Sequence, residues 1–335
     1  MLVQFISKTT KLNKKNKKLN KKIIKLNKLI LLINKKMGKI SKDKRDIFYR
    51  LAKQNNFRSR SAFKLLQIDN YFNIFNNVNT IVDLCAAPGG WTQICAQKSK
   101  ESKIISVDLQ KFSFENKNVS IIIGDITNHE TLKKIFDLTN SNIDLIICDG
   151  APDVTNFNEF DVYVQSQLIL NALNISIRLL KIGGNFITKI FKGKYTEKII
   201  KIFAICFDKV FITKPKACRN ASFESFVVCK GFKNENEIIQ KLRKKELNCE
   251  DIIYLNKLTL NSNENEKNSD EKNSDEFFYD KFNIECIQVG DDLYDSDKTY
   301  DLECTNYDKI LEPVANPINP PYKFYIENFK GKSKK

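Results

Sequence analysis

At 335 residues and 42% hydrophobic content the chain is long enough to bury a substantial core, and its net charge of +16 favours a polyanionic partner. A single histidine, His129, and nine cysteines without a CxxC pair leave a Cys/His zinc site without its parts, so no metal is expected, and a Ser-His-Asp triad would depend on His129 alone. No apolar run approaches the roughly eighteen residues of a membrane span, and the cysteines read as reduced core residues, so an intracellular, cytoplasmic protein is expected.

Residues 1–36 carry twelve lysines and no acid, a low-complexity blend expected to be a disordered extension. Residues 37–232 hold 28 basic against 18 acidic residues, which makes this central domain the better argument for a polyanion. From Ser41 to Phe75 the apolar residues Ile47 and Leu51, then Phe63, Leu66 and Ile68, recur at helical spacing and predict two helices. The run Thr80 to Leu84 reads as a strand buried on both faces, Gly89-Gly90 as a sharp turn, and Thr92 to Lys98 as a helix. That turn lacks the GxGxxG spacing and the GK[ST] ending that cradle phosphates, which favours a ligand without them. His129, in TNHET, reads as a surface or capping residue at a helix start.

Apolar runs closing at Asp108, Asp125 and Asp149 predict three more strands, a helix covers about 160–180, and Gly183-Gly184 opens the strand NFITKIF. KVFITK and SFESFVVCKGF are the last two strands. Strands alternating with helices predict an α/β fold, a doubly wound and mostly parallel sheet with helices on both faces. After Phe232 the character changes: helix-like spacing over 233–258, a polar insert at 261–276 that cannot bury a core, and a proline-containing tail.

In such a sheet ligands bind beyond the carboxyl ends of the strands, and Asp108, nineteen residues after Gly89, is placed to reach ribose hydroxyls. A single Asp is more often a solvated loop residue, but several in register at strand ends are not. APGGW followed by VD, GD and CDGAP resembles the FtsJ-like family of S-adenosylmethionine-dependent RNA ribose 2′-O-methyltransferases, which are Rossmann-like. The resemblance implies S-adenosylmethionine as cofactor, with Gly89, Gly90 and Trp91 at its methionine part and Asp108 at its ribose. Asp125 would then meet the adenine edge, and Asp149 would face the methionine end or orient Lys189. Core packing is the other reading of Trp91, the chain's one tryptophan.

Methylating a 2′-hydroxyl is an in-line displacement in which a poor nucleophile must lose its proton. The family's Lys-Asp-Lys-Glu set matches Lys64, Asp149, Lys189 and Glu224, with Lys189 as the proton acceptor; a charged Lys189 that orients the hydroxyl is the second mechanism. Arg58, Arg60, Lys192, Lys194, Lys216 and Arg219, with the four basic residues of 39–45, flank the same rim as candidates for phosphate contacts.

The segment VGDDLYDSDKTYDLE and the prolines of LEPVANPINPPY resemble the carboxyl terminus of the eukaryotic branch that methylates positions 32 and 34 of the tRNA anticodon loop. That resemblance implies tRNA as substrate and auxiliary subunits, one a helical-repeat and one a WD-repeat protein, that select the nucleotide. The family-like sequence begins at Met37, which is therefore expected to be the functional start, with residues 1–36 as a nucleic-acid arm the alternative. A ribosomal RNA methyltransferase of the same fold and an inactive RNA-binding relative are the competing readings.

Overall fold

In the computed structural model, described for residues 46–152, 158–220, 222–233, 239–240, 284–291 and 293–298, two helices precede the sheet. Helix α1 (Ile47–Gln54) starts at Asp46, whose carboxylate accepts the Tyr49 N–H at 3.2 Å; a cap of this kind contributes about 1 kcal/mol. Helix α2 (Ala62–Phe72) stops at Asn73, which adopts the left-handed conformation that Asn tolerates. There follow β1 (Thr80–Leu84), α3 (Gly90–Lys98), β2 (Lys103–Asp108), β3 (Val119–Ile123), α4 (His129–Thr139), β4 (Ile143–Cys148), α5 (Asn158–Leu179), β5 (Leu180–Phe191), α6 (Thr196–Cys206), β6 (Phe207–Pro215) and β7 (Glu224–Phe232). A further strand, β8 (Ile284–Val289), joins the same sheet.

The strand order is β3-β2-β1-β4-β5-β7-β6-β8. Strands β1 to β5 are mutually parallel, β7 runs antiparallel to β5 and β6, and β8 is parallel to β6. One rim therefore collects the carboxyl ends of every strand except β7, which presents its amino end there. The sheet's two faces are covered separately, as alternation along β1 shows. Val82 and Leu84 enter a core with Leu170, Leu173 and Phe203 of α5 and α6. Ile81 enters a second core with Leu65, Ile68 and Ile94 of α2 and α3. Both faces being apolar is what lets β1 and β4 read as nearly continuous hydrophobic runs.

Three details depart from the sequence reading. Strand β5 begins at Leu180 rather than at the glycine pair: Ile143 pairs with Leu180, the register then shifts, and Gly183 at φ 78° takes up the irregularity. Strand β3 ends at Ile123, and the Gly124 N–H bonds the Asp108 carbonyl, so Asp125 lies on the following turn. The third is β8, for which IECIQV gave no signal. It is an edge strand with only Ile284 and Val289 buried, so it lacks the two-residue alternation that marks a half-buried strand. The extension 1–36, nearly all of the helix-like stretch 233–258, the insert 261–276 and the proline tail lie outside the described residues.

Candidate active site

The rim of the sheet brings all four members of the expected catalytic set together. Lys64, in the first turn of α2, places Nζ 2.8 Å from Oε1 of Glu224, the first residue of β7. Lys189, on β5, donates from Nζ to the Asp149 carbonyl at 2.8 Å and to Asp149 Oδ1 at 2.9 Å, just past the end of β4. Burial alone would lower the Lys64 pKa, but Asp149 and then Glu224 outweigh it and hold the ammonium above the usual lysine range. Burial would likewise raise Glu224, yet Lys64 and Lys189 keep it below the usual glutamate range. Each ion pair thus feels the other, and the four charges alternate in sign across one small patch. The Lys64 ammonium also sits 5.6 Å from the ring centre of Phe226, a cation–π contact.

Two positioning side chains escaped the sequence reading. Gln165 of α5 is buried; its Nε2 donates to the Lys189 carbonyl at 2.7 Å and its Oε1 accepts the Phe191 N–H at 3.2 Å, clamping the end of β5. Cys218, between β6 and β7, places a buried thiol beside the Glu224 carboxylate, and burial pushes that thiol up to about 12, so it stays protonated. A Gln eight residues into the largely apolar α5 was a visible signal. The Cys218 contact had none, because the path of a loop between two strands is not written in local periodicity. All seven described cysteines are free thiols.

Beside the tetrad lies a cleft of about 480 Å³, lined by Asp108, Asp125 and Asp149 among others, within the size range of small-molecule sites. Leu109, Ile126, Val164 and Leu168 give it apolar walls. Asp108 accepts the Ala87 N–H at 2.8 Å on one oxygen and the Gln110 N–H at 2.7 Å on the other. A carboxylate offers about four acceptor positions, so these bonds fix its orientation and leave capacity for a ligand's hydroxyls. Burial still raises its pKa, against those backbone donors. Asp125 is held by the Thr127 N–H at 2.9 Å. The cleft's chemistry, a fixed carboxylate beside apolar walls, fits a nucleoside.

Gly89, Gly90 and Trp91 do not line that cleft. A Cβ on Gly90 would lie 2.2 Å from Ser59 Oγ, and one on Gly89 3.1 Å from Arg58 Nε. The glycines therefore make room for the chain's own segment 57–61, which lies across the turn. Trp91, 2% exposed, donates its indole N–H to the Ser61 carbonyl at 2.9 Å and packs against Phe226. The ring takes the core role, and what the turn itself presents to the cleft is Ala87. Among the described residues, all three arginines expected at phosphates are engaged with protein, Arg219 through Asp46 at 3.2 Å. Arg58 donates to the carbonyls of Pro88 and Ser113, and Arg60 pairs with Asp46 and donates to the Ala217 carbonyl. A second cleft, of about 390 Å³ beside His129, Phe136 and Arg178, contains no strand-end carboxylate.

The FtsJ-like methyltransferase family model matches residues 57–232. A Mus musculus protein named tRNA (cytidine(32)/guanosine(34)-2′-O)-methyltransferase is 40% identical over 293 residues, covering 85% of this chain and 85% of its own length. A Schizosaccharomyces pombe protein of the same name is 36% identical over 304 residues, covering 87% of this chain and 97% of its own. The ribosomal RNA large subunit methyltransferase E of Methanococcus vannielii is 38% identical over 209 residues, 60% of this chain and 81% of its own. In a chain of 335 residues the first two alignments must run well past Phe232.

Proposed function

The chain belongs to the FtsJ-like methyltransferase family, and from that premise we propose that it methylates the ribose 2′-hydroxyls of nucleotides 32 and 34 in the tRNA anticodon loop. The observation that carries this reading is the reach of the likeness to the mouse and fission yeast proteins, whose names state that activity. The likeness to the Methanococcus vannielii ribosomal RNA enzyme covers only 60% of the chain, which makes ribosomal RNA the second reading.

S-adenosylmethionine, the family's methyl donor, supplies an electrophilic methyl on a sulfonium. In this reading Asp108 accepts its ribose hydroxyls, Asp125 meets the adenine edge, and the apolar walls flank the base. The acceptor hydroxyl must shed a proton as it attacks. A neutral Lys189 spends its two N–H bonds on Asp149, which leaves its lone pair for the rim. The Lys189 amine receives the proton there, and Asp149 stabilises the ammonium that results. A lysine that enters charged instead stabilises the developing alkoxide. Lys64 and Glu224 hold the ribose beside it, and their charges cancel locally, so the site accepts a nucleotide without an uncompensated buried charge.

The proposal extends to a cytoplasmic place of action and to auxiliary helical-repeat and WD-repeat subunits that choose between the two nucleotides, both resting on the resemblance to the tRNA branch. None of the described helices is long and apolar enough to cross a membrane. The test is transfer of labelled methyl from S-adenosylmethionine to purified tRNA and ribosomal RNA, with the modified riboses mapped. Methylation at nucleotides 32 and 34 is expected; label confined to ribosomal RNA would favour the second reading.

A further inference from the structure

The loop between β6 and β7 carries Cys218, whose buried thiol lies beside Glu224, and Ser222, whose hydroxyl accepts the Glu224 N–H at 3.2 Å. Its backbone is anchored almost residue by residue. The Lys216 N–H bonds the Val289 carbonyl at 2.9 Å, the Ala217 N–H bonds Gln67 Oε1 at 2.9 Å, and Arg60 donates to the Ala217 carbonyl. The Ser296 hydroxyl donates to the Cys218 carbonyl at 2.8 Å, and the Asn220 N–H bonds Asp297 Oδ2 at 2.6 Å. Asp295 Oδ1 accepts the Asp297 N–H at 2.9 Å and closes the turn that presents both side chains. Three of these five anchors come from residues 289–297, beyond the 57–232 family match. Ser296 is 7% exposed, so its hydrogen bond is made out of water, where losing it leaves the Cys218 carbonyl unpaired.

We infer that Cys218 and Ser296 are positioning residues of this active site: the segment 284–298 fixes the β6–β7 loop, and the loop fixes the Glu224 carboxylate against Lys64. The inference rests on the reading of Glu224 as part of the methyl-transfer site. Glu224 faces Lys64 from α2, Lys189 from β5, Arg60 from the segment before α2 and Cys218 from the loop. Its geometry is over-determined only while the thiol and its backbone stay in place. A rim displaced by an ångström costs a reaction of this kind about a hundredfold.

The test uses the full chain with S-adenosylmethionine and tRNA. Cys218→Ala should lower kcat about tenfold or more while KM for tRNA and cofactor affinity change little. Losing the thiol beside the carboxylate also moves the acid limb of the pH–rate profile upward, and Cys218→Ser should return it. Ser296→Ala should shift kcat in the same direction by about threefold, with Ser296→Thr restoring it. An unmoved acid limb in Cys218→Ala with unchanged kcat would overturn the inference, as would a fall in cofactor affinity that parallels the loss of rate. Should the wild-type protein methylate another RNA, the substrate reading fails, and the same comparison run on that RNA still decides the positioning.

Discussion

Lys189 Nζ bonds both the carbonyl oxygen and the carboxylate of Asp149, at 2.8 and 2.9 Å, so a single residue past the end of β4 fixes the lysine on β5 in position and direction. Lys189 is 7% exposed and does not line the neighbouring cleft, whereas Asp149 does. Proton handling and cofactor binding therefore separate by mutation. Lys189→Ala should abolish methyl transfer and leave S-adenosylmethionine affinity nearly intact. Activity within about tenfold of wild type, some 1.4 kcal/mol of barrier, would rule out Lys189 as the proton acceptor.

The Lys64–Glu224 pair makes a prediction about stability as well as rate. Both side chains are largely buried, and removing one partner of such a pair costs about 3–5 kcal/mol because the other charge is left uncompensated. Opening toward the rim places these two near the lower end. Glu224→Ala and Lys64→Met should each lower the urea midpoint, whereas the double variant Lys64→Met with Glu224→Leu should regain much of the stability and none of the activity. A double variant as unstable as the singles would mean that the pair contributes packing rather than charge.

How these four residues come together was largely legible before any coordinates. In a parallel sheet the strand ends share one rim, so an acid or lysine at the end of each apolar run is brought to one place by topology alone, as Asp108, Asp149 and Lys189 are. Trp91 was ambiguous because a helix start can face either the ligand or the core, and its direction depends on the 57–61 segment packed over the turn. Arg58 and Arg60 read as phosphate ligands because a charge pattern cannot reveal carbonyls brought near from thirty to more than a hundred and fifty residues away. Strand β8 and the Ser296–Cys218 bond were hidden for the same reason, aggravated by the weak alternation of an edge strand.

Asp108 tests the cofactor cleft. Its oxygens tie down the Ala87 and Gln110 amides, and the same carboxylate is the proposed acceptor for two ribose hydroxyls. Hydrogen bonds to a charged group contribute about 1.5–3 kcal/mol each, so Asp108→Ala should weaken S-adenosylmethionine binding by about one to two decades or more. Isothermal titration calorimetry measures this directly, and an unchanged dissociation constant would remove Asp108 from the site. Asp108→Asn, which keeps an acceptor, should fall between.

Asp83 lies beneath that site in the core, 1% exposed, accepting the Thr92 hydroxyl at 2.7 Å on Oδ2 while Oδ1 finds no partner among the described residues. Burial pushes its pKa to about 7, against the pull of the Thr92 hydrogen bond. The unfolded chain releases this proton near pH 4, so between about pH 4 and pH 7 the unfolded state is ionised while the folded state still holds the proton. Stability is therefore undiminished by Asp83 below pH 4, erodes as pH rises toward 7 and falls no further above it. The loss is on the order of 4 kcal/mol at most, from roughly 1.4 kcal/mol per pKa unit. Asp83→Asn keeps an acceptor for Thr92 and removes the titration. Its Tm should match wild type near pH 4 and exceed it at pH 8, by about 2–4 °C per kcal/mol for a domain of this size. Thermal unfolding followed by circular dichroism from pH 4 to 8 measures the gap. A gap that does not widen with pH would show that Asp83 is ionised in the folded protein throughout.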